Sequence, residues 1–260
     1  MPSSVIRVIA AARSLLTGER GPVVPNAAPD VAPDVVPVVA RALENVVIKM
    51  DGPSAAEDPY HLLFRRYLSE LDSFSDGTVL EIGSRNRSNV MRRDVCPPHL
   101  GYTGLDIVPG ENVDMVGDAH MLSRHFAGTR FKAVFSVSVF EHLAMPWLVA
   151  LEMNKILEPG GLVFVQTHQT WPVHEEPWDF WRFSKHSWRC LFNAHTGFEV
   201  LDAVMGLPAA IVPKHLDAST NELWLQPAFM GTAMLARKVG DSNLQWDVSP
   251  GSLGIGDYPV

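Results

Sequence analysis

The sequence predicts an α/β protein whose sheet is mostly parallel, with helices on both faces and a last antiparallel strand. Between residues 78 and 168, short apolar runs of strand length alternate with a segment of helical spacing and with loops that begin in acidic or glycine residues. Two further strand-like runs follow before residue 240. With 260 residues and 47% hydrophobic content, the chain can bury one substantial core.

Taken in order, MPSSVIRVIAAARSLLTG is expected to form a short amphipathic helix. Arg7 and Arg13 interrupt its apolar run, and no convincing cleavage site follows, so it does not read as a leader. Residues 20–37 are dense in Pro, Ala and Val; repeated prolines exclude helix interiors and central strands, which leaves a linker or an extended arm. The run 58–74 carries Leu62, Leu63, Tyr67, Leu68 and Leu71 at helical spacing. Strands are expected at 78–84, 102–108, 113–118, 131–138 and 162–168. A helix over 146–157 is opened by Pro146 and stopped before the turn EPGG. A second helix is expected over 184–197, with Ser184 as N-cap and Gly197 as its stop. Runs 198–206 and 229–239 supply the last strands, ahead of an irregular tail. The organisation is therefore an arm (1–57), a catalytic domain (58–240) and a tail (241–260).

A formal net charge of -8 disfavours a nucleic-acid surface, since holding a phosphate backbone needs clustered Lys and Arg. Cys96 and Cys190 lack CxxC spacing, which suggests neither a disulfide framework nor a zinc knuckle and fits a reducing, cytoplasmic setting. No apolar stretch reaches the roughly 18–20 residues of a spanning helix. A homodimer through the arm at 1–40 is a further expectation.

In VLEIGS, Glu81 and Gly83 stand where an apolar strand runs out into a loop, the place where open α/β sheets bind ligands. Glycine lets the backbone approach a ligand closely. Asp106 ends the next strand, in YTGLDIV, and suits a carboxylate accepting from ribose hydroxyls; Asp118, in VGDAH, ends the third. From Thr78 to about His168, and more loosely to Lys238, this order resembles the class I, Rossmann-like S-adenosylmethionine-dependent methyltransferases. The resemblance implies that Glu81 and Gly83 hold the methionine part, and counts Ser84 among the cofactor-binding residues. It assigns Asp106 to the ribose and Asp118 with Ala119 to adenine, and adds Ile107 and, from FSVSVFEHL, Ser136 as further cofactor-binding residues. Arg85 and Arg87 stand where that family commonly has further glycines. EIGSRNRS also lacks the GxGxxG pattern that a dinucleotide dehydrogenase needs.

Transfer of a methyl group to a hydroxyl requires a base to take the proton. His142, in FEHL after the fourth strand, is the first candidate, with His168 and His174 as second ones. The stretch THQTWPVHEEPWDFWRFS mixes Trp171, Trp178, Phe180 and Trp181 with polar groups, as loops that stack on a sugar or ring do. It resembles a subset of bacterial methyltransferases associated with glycan or secondary-metabolite assembly, which implies a small hydroxylated acceptor such as a saccharide. A magnesium-type ion clamping vicinal hydroxyls is conceivable from its His, Glu and Asp residues, but spacing assigns no metal ligand. Methylation of nitrogen or carbon, and an inactive binding protein of the same fold, are the alternatives.

Overall fold

The computed structural model describes residues 52–87, 89–214, 220, 223–253 and 258. The expected amphipathic helix and proline-rich arm lie outside them. The chain divides into two units, one of residues 52–209 with 227–260 and one of 1–51 with 210–226. In the second unit, the described residues form one 3-10 turn at Leu223–Leu225.

The first unit is built on a seven-stranded sheet of β1 (Thr78–Ile82), β2 (Gly101–Asp106), β3 (Met115–Val116), β4 (Phe131–Val137), β5 (Leu157–His168), β6 (Phe198–Ala209) and β7 (Ala228–Lys238). The strand order is β3-β2-β1-β4-β5-β7-β6. Strands β1 to β5 pair in parallel, while β7 runs antiparallel to both β5 and β6, as the sequence predicted for the last strand.

Because side chains alternate along a strand, each central strand feeds two cores. Val79, Ala133, Phe135, Leu162, Phe164, Ala233 and Leu235 face α1 (Pro59–Leu71), which contributes Leu63, Tyr67 and Leu71. Leu80, Ile82, Val134, Val163, Val165, Met234 and Ala236 face the other way, onto Val149, Met153 and Ile156 of α3 (Pro146–Ile156) and Leu122 of α2 (Leu122–His125). Asp58 caps α1 by accepting from the Tyr60 N–H at 2.9 Å. Its other oxygen accepts from the Leu207 N–H at 2.8 Å and ties the helix to β6.

Two elements depart from expectation, and one crossover carries no α-helix among its described residues. Strand β3 is only two residues long. The crossover from β1 to β2 carries only a 3-10 turn, Arg92–Val95, among its described residues. The helix expected over 184–197 shrinks to α4 (Trp188–Leu191) followed by a 3-10 turn at Ala194–Thr196. Side chains that compete for backbone groups explain the break. Ser187 Oγ donates to the Ser184 carbonyl at 2.6 Å, so Ser184 belongs to a turn rather than a cap. Asn193 opens a new capping box, and Gly197, with φ +79°, ends it as expected. The fragment is anchored by Trp188, which is fully buried and stacked on Phe183 at 4.9 Å. The described tail is irregular from 241 to 249 and then turns at Pro250–Leu253.

Candidate active site

A cavity of about 500 Å³ opens at the C-terminal ends of the parallel strands. Five of the residues expected to hold the donor line it: Gly83 after β1, Asp106 and Ile107 at the end of β2, and Asp118 and Ala119 after β3. All three candidate bases line it as well: His142 after β4, His168 at the end of β5, and His174 beyond it. Strands β2 and β5 are three places apart in the sheet, which at about 4.8 Å per strand separates their ends, at Asp106 and His168, by roughly 14 Å. The cavity thus has a carboxylate side and an imidazole side.

Three expected residues do not reach the wall. Glu81 lies on the α1 face of β1, with Val79, because two residues along a strand return to the same side. There it is buried, accepting from the Tyr102 hydroxyl and pairing with Arg92 Nη1 at 3.4 Å. Burial pushes its carboxyl above the ordinary value, against the pull of Tyr102 and Arg92. Arg92, not Glu81, lines the cavity. Ser136 is buried and donates its hydroxyl to the Ile82 carbonyl at 3.1 Å. Ser84 is buried beside Gly104, where an added Cβ would lie 2.6 Å from the serine oxygen.

The carboxylate side is held from its own loops. Asp106 accepts from the Val108 N–H at 3.0 Å on one oxygen and from the Arg85 N–H at 3.1 Å on the other. A carboxylate has about four acceptor positions, so capacity remains for hydroxyls. Asp118 accepts from both the His120 N–H and His120 Nδ1, at 2.9 and 2.6 Å. The Met145 N–H donates to His120 Nε2 at 3.2 Å, which places the ring proton on Nδ1. Burial raises the Asp118 carboxyl, but these contacts outweigh it and leave it below the usual carboxylate range. Gly83 has φ +80°, and a Cβ there would stand 2.1 Å from Val139 Cγ2. Only glycine fits that turn, so backbone rather than side chain faces the cavity.

On the imidazole side the organising residue is Glu141, which is fully buried. Its Oε2 accepts from Thr167 Oγ1, and its Oε1 lies 2.9 Å from His168 Nδ1 and 3.9 Å from His142 Nε2. Burial alone would raise its carboxyl; His168 and Thr167 reverse that and hold it below the ordinary value. Its backbone carbonyl accepts from the Phe180 and Trp181 N–H groups at 2.9 and 3.1 Å. The sequence singled out only the neighbouring His142; a carboxylate beside a histidine at a strand end was the available signal.

The tryptophan-rich loop is tied internally. Arg182 grips both oxygens of Asp179 at 2.6 and 2.8 Å, and Asp179 also accepts from the His174 N–H at 3.0 Å. The Arg182 guanidinium, more than burial, decides the outcome and drives the Asp179 carboxyl far below its usual range. A depressed folded value means that this stabilisation is complete above the unfolded aspartate pKa of about 3.9 and is lost as pH falls toward the folded value. Asp179→Asn is therefore expected to lower the melting temperature at pH 6, with the gap to the native protein narrowing steadily below about pH 4. A gap that persists unchanged to pH 2.5 would contradict the assignment. Glu175 joins three segments, pairing with Arg87 at 2.6 Å and accepting from the Tyr258 hydroxyl at 3.2 Å. Tyr258 lines the cavity from the far end of the chain, and nothing local in the sequence marks it.

A family profile described as a methyltransferase domain matches residues 56–203, more than half of the chain. Among solved structures, an S-adenosylmethionine-dependent methyltransferase from Archaeoglobus fulgidus is similar at 13% identity. That match covers 68% of this chain and 92% of that one, with a TM-score of 0.50. The YcgJ protein of Bacillus subtilis matches at 16% identity, 68% and 97% coverage, and a TM-score of 0.49. The N-methyltransferase NodS of Bradyrhizobium japonicum, in complex with S-adenosyl-L-homocysteine, matches at 14% identity, 76% and 97% coverage, and a TM-score of 0.44. No curated protein matches the chain. On the span of the profile match, carried by this strand order and this cavity, the chain belongs to the methyltransferase-domain family and is an S-adenosylmethionine-dependent enzyme.

Proposed function

We propose that the protein methylates a hydroxyl group of a small hydroxylated acceptor, of the saccharide class, with a histidine taking the proton. The supporting observation is the convergence of His142, His168 and His174 on the buried Glu141 in one part of the cavity wall. The bound donor, S-adenosylmethionine, supplies a methyl group on a positively charged sulfur. Asp106 would accept from ribose hydroxyls, the Gly83 backbone would allow close approach, and Ala119 and Ile107 would offer apolar contact to a base.

Of the three histidines, His168 is the best placed proton acceptor. Glu141 faces its Nδ1 at 2.9 Å, so a proton gained at Nε2 creates an imidazolium next to a buried carboxylate. His142, the first candidate from sequence, has its Nδ1 only 2.6 Å from the Trp178 carbonyl and turns Nε2 toward Glu141. Aromatic side chains in the wall support the acceptor class, Trp171 exposed and Trp178 buried. Trp171 lines the cavity and stacks on His168 with ring centroids 4.5 Å apart, and Trp178 lies farther along the wall.

The test has two stages. Calorimetry with S-adenosylmethionine is expected to show saturable binding; its absence would remove the enzyme reading. A methyl-transfer screen against saccharides, with mass determination of the product, is expected to give an O-methyl ether. Transfer only to amines or carbon acids would overturn the hydroxyl assignment.

A further inference from the structure

We propose that the Glu141 carboxylate and the imidazoles of His142 and His174 form a binding site for a divalent first-row transition ion on the imidazole side of the cavity. The inference deepens the function proposed above, because it makes that ion the group that holds the acceptor's oxygens.

Each component is oriented for ligation. His142 Nδ1 lies 2.6 Å from the Trp178 carbonyl, and His174 Nδ1 lies 3.0 Å from the Pro172 carbonyl. A carbonyl only accepts, so both rings carry their proton on Nδ1 and present the Nε2 lone pair. Metal-bound histidines are typically fixed in this way, by donating the other ring N–H to a backbone carbonyl. The two rings meet edge to face with centroids 4.8 Å apart. Glu141 is anchored through Oε2 by Thr167, while Oε1 stays out of hydrogen-bonding alignment despite its 2.9 Å approach to His168. Beyond its contact with His168, Oε1 keeps a further lone pair, which a buried carboxylate can direct at a cation.

One ligand atom from each of Glu141, His142 and His174 lies within 4.8 Å of the others. Around a tetrahedral ion with bonds of about 2.1 Å, ligands stand roughly 3.4 Å apart, so a closing movement of at most about 1.4 Å completes the set. His174 sits on a loop with its side chain a quarter exposed, which leaves room for that movement. Two imidazoles and one carboxylate suit zinc, iron, cobalt or nickel rather than magnesium, which prefers oxygen ligands. This donor set also differs from the loop-only magnesium-type clamp that the sequence left conceivable. Three protein ligands leave positions open, as sites that bind a reacting molecule do. A pair of hydroxyl oxygens could fill them, with His168 kept free for the proton.

The test uses the full-length protein, freed of metal by chelator dialysis and titrated with cobalt(II) chloride. One ion per chain is expected, with visible absorption bands of nitrogen and oxygen ligation. His142→Ala and His174→Ala are each expected to weaken binding by roughly tenfold or more. His186→Ala, at an exposed histidine elsewhere, is expected to leave it unchanged. Circular dichroism checks that the variants fold; His174, on the loop, is the safer of the two. No saturable binding, or equal binding in both ligand variants, overturns the site. Calorimetry with S-adenosylmethionine on the same samples separates the two claims. Cobalt binding without donor binding would defeat the function and spare the metal site, whereas donor binding without cobalt binding would do the reverse.

Discussion

His168→Ala is expected to lower turnover by about two to four decades while leaving affinity for S-adenosylmethionine nearly unchanged. The imidazole stands at the end of β5, on the opposite side of the cavity from Asp106 and Asp118, so its loss should not disturb donor contacts. Its loss also strips Glu141 of the 2.9 Å contact that helps keep that buried carboxylate ionised. Single-turnover rates and donor calorimetry on the same variant separate the two effects. Turnover within a few-fold of native would remove the base role from His168.

Gly83→Ala should have the largest effect on the donor side. At φ +80° an L-residue costs about 1–2 kcal/mol, and the new methyl group would meet Val139 Cγ2 at 2.1 Å. Overpacking of this kind adds about 1–3 kcal/mol, toward the lower end if Val139, which lines the cavity, turns into it. At about 2–4 °C per kcal/mol, the melting temperature should fall by roughly 4–20 °C. Donor affinity should weaken by about tenfold or more, because Val139 is itself part of the wall. A variant with native melting temperature and native affinity would mean that the backbone at residue 83 is not constrained as described.

The strands were legible because apolar runs between turn residues need only local information, and Pro146 opened α3 in the same local way; EPGG, expected as a turn, instead lies within β5, where the pairing with β4 shifts register. The segment 184–197 was not legible: its apolar spacing is helical, but the side chains of Ser187 and Asn193 bind the backbone and break it. The same division runs through the site. Asp106, Asp118, His142 and His168 follow or end strands, where any ligand of such a sheet must lie. Glu81 also sits near a strand end, yet the face it takes depends on pleat and on its neighbours Tyr102 and Arg92, which spacing does not reveal. Tyr258 and Arg92 reach the cavity through the path of the chain, and no motif announces them.

The tryptophan-rich excursion has both ends fastened to the scaffold. The Phe183 N–H donates to the His168 carbonyl at 3.0 Å, and the Phe180 and Trp181 N–H groups close onto Glu141. Residues 169–179 are thus a cassette clipped at its base, whose contents can change without loosening β4 or β5. Within the clip, exchange at positions such as Trp171 can reshape one part of the cavity wall, whereas exchange of Glu175 would also release Arg87 in the loop after β1.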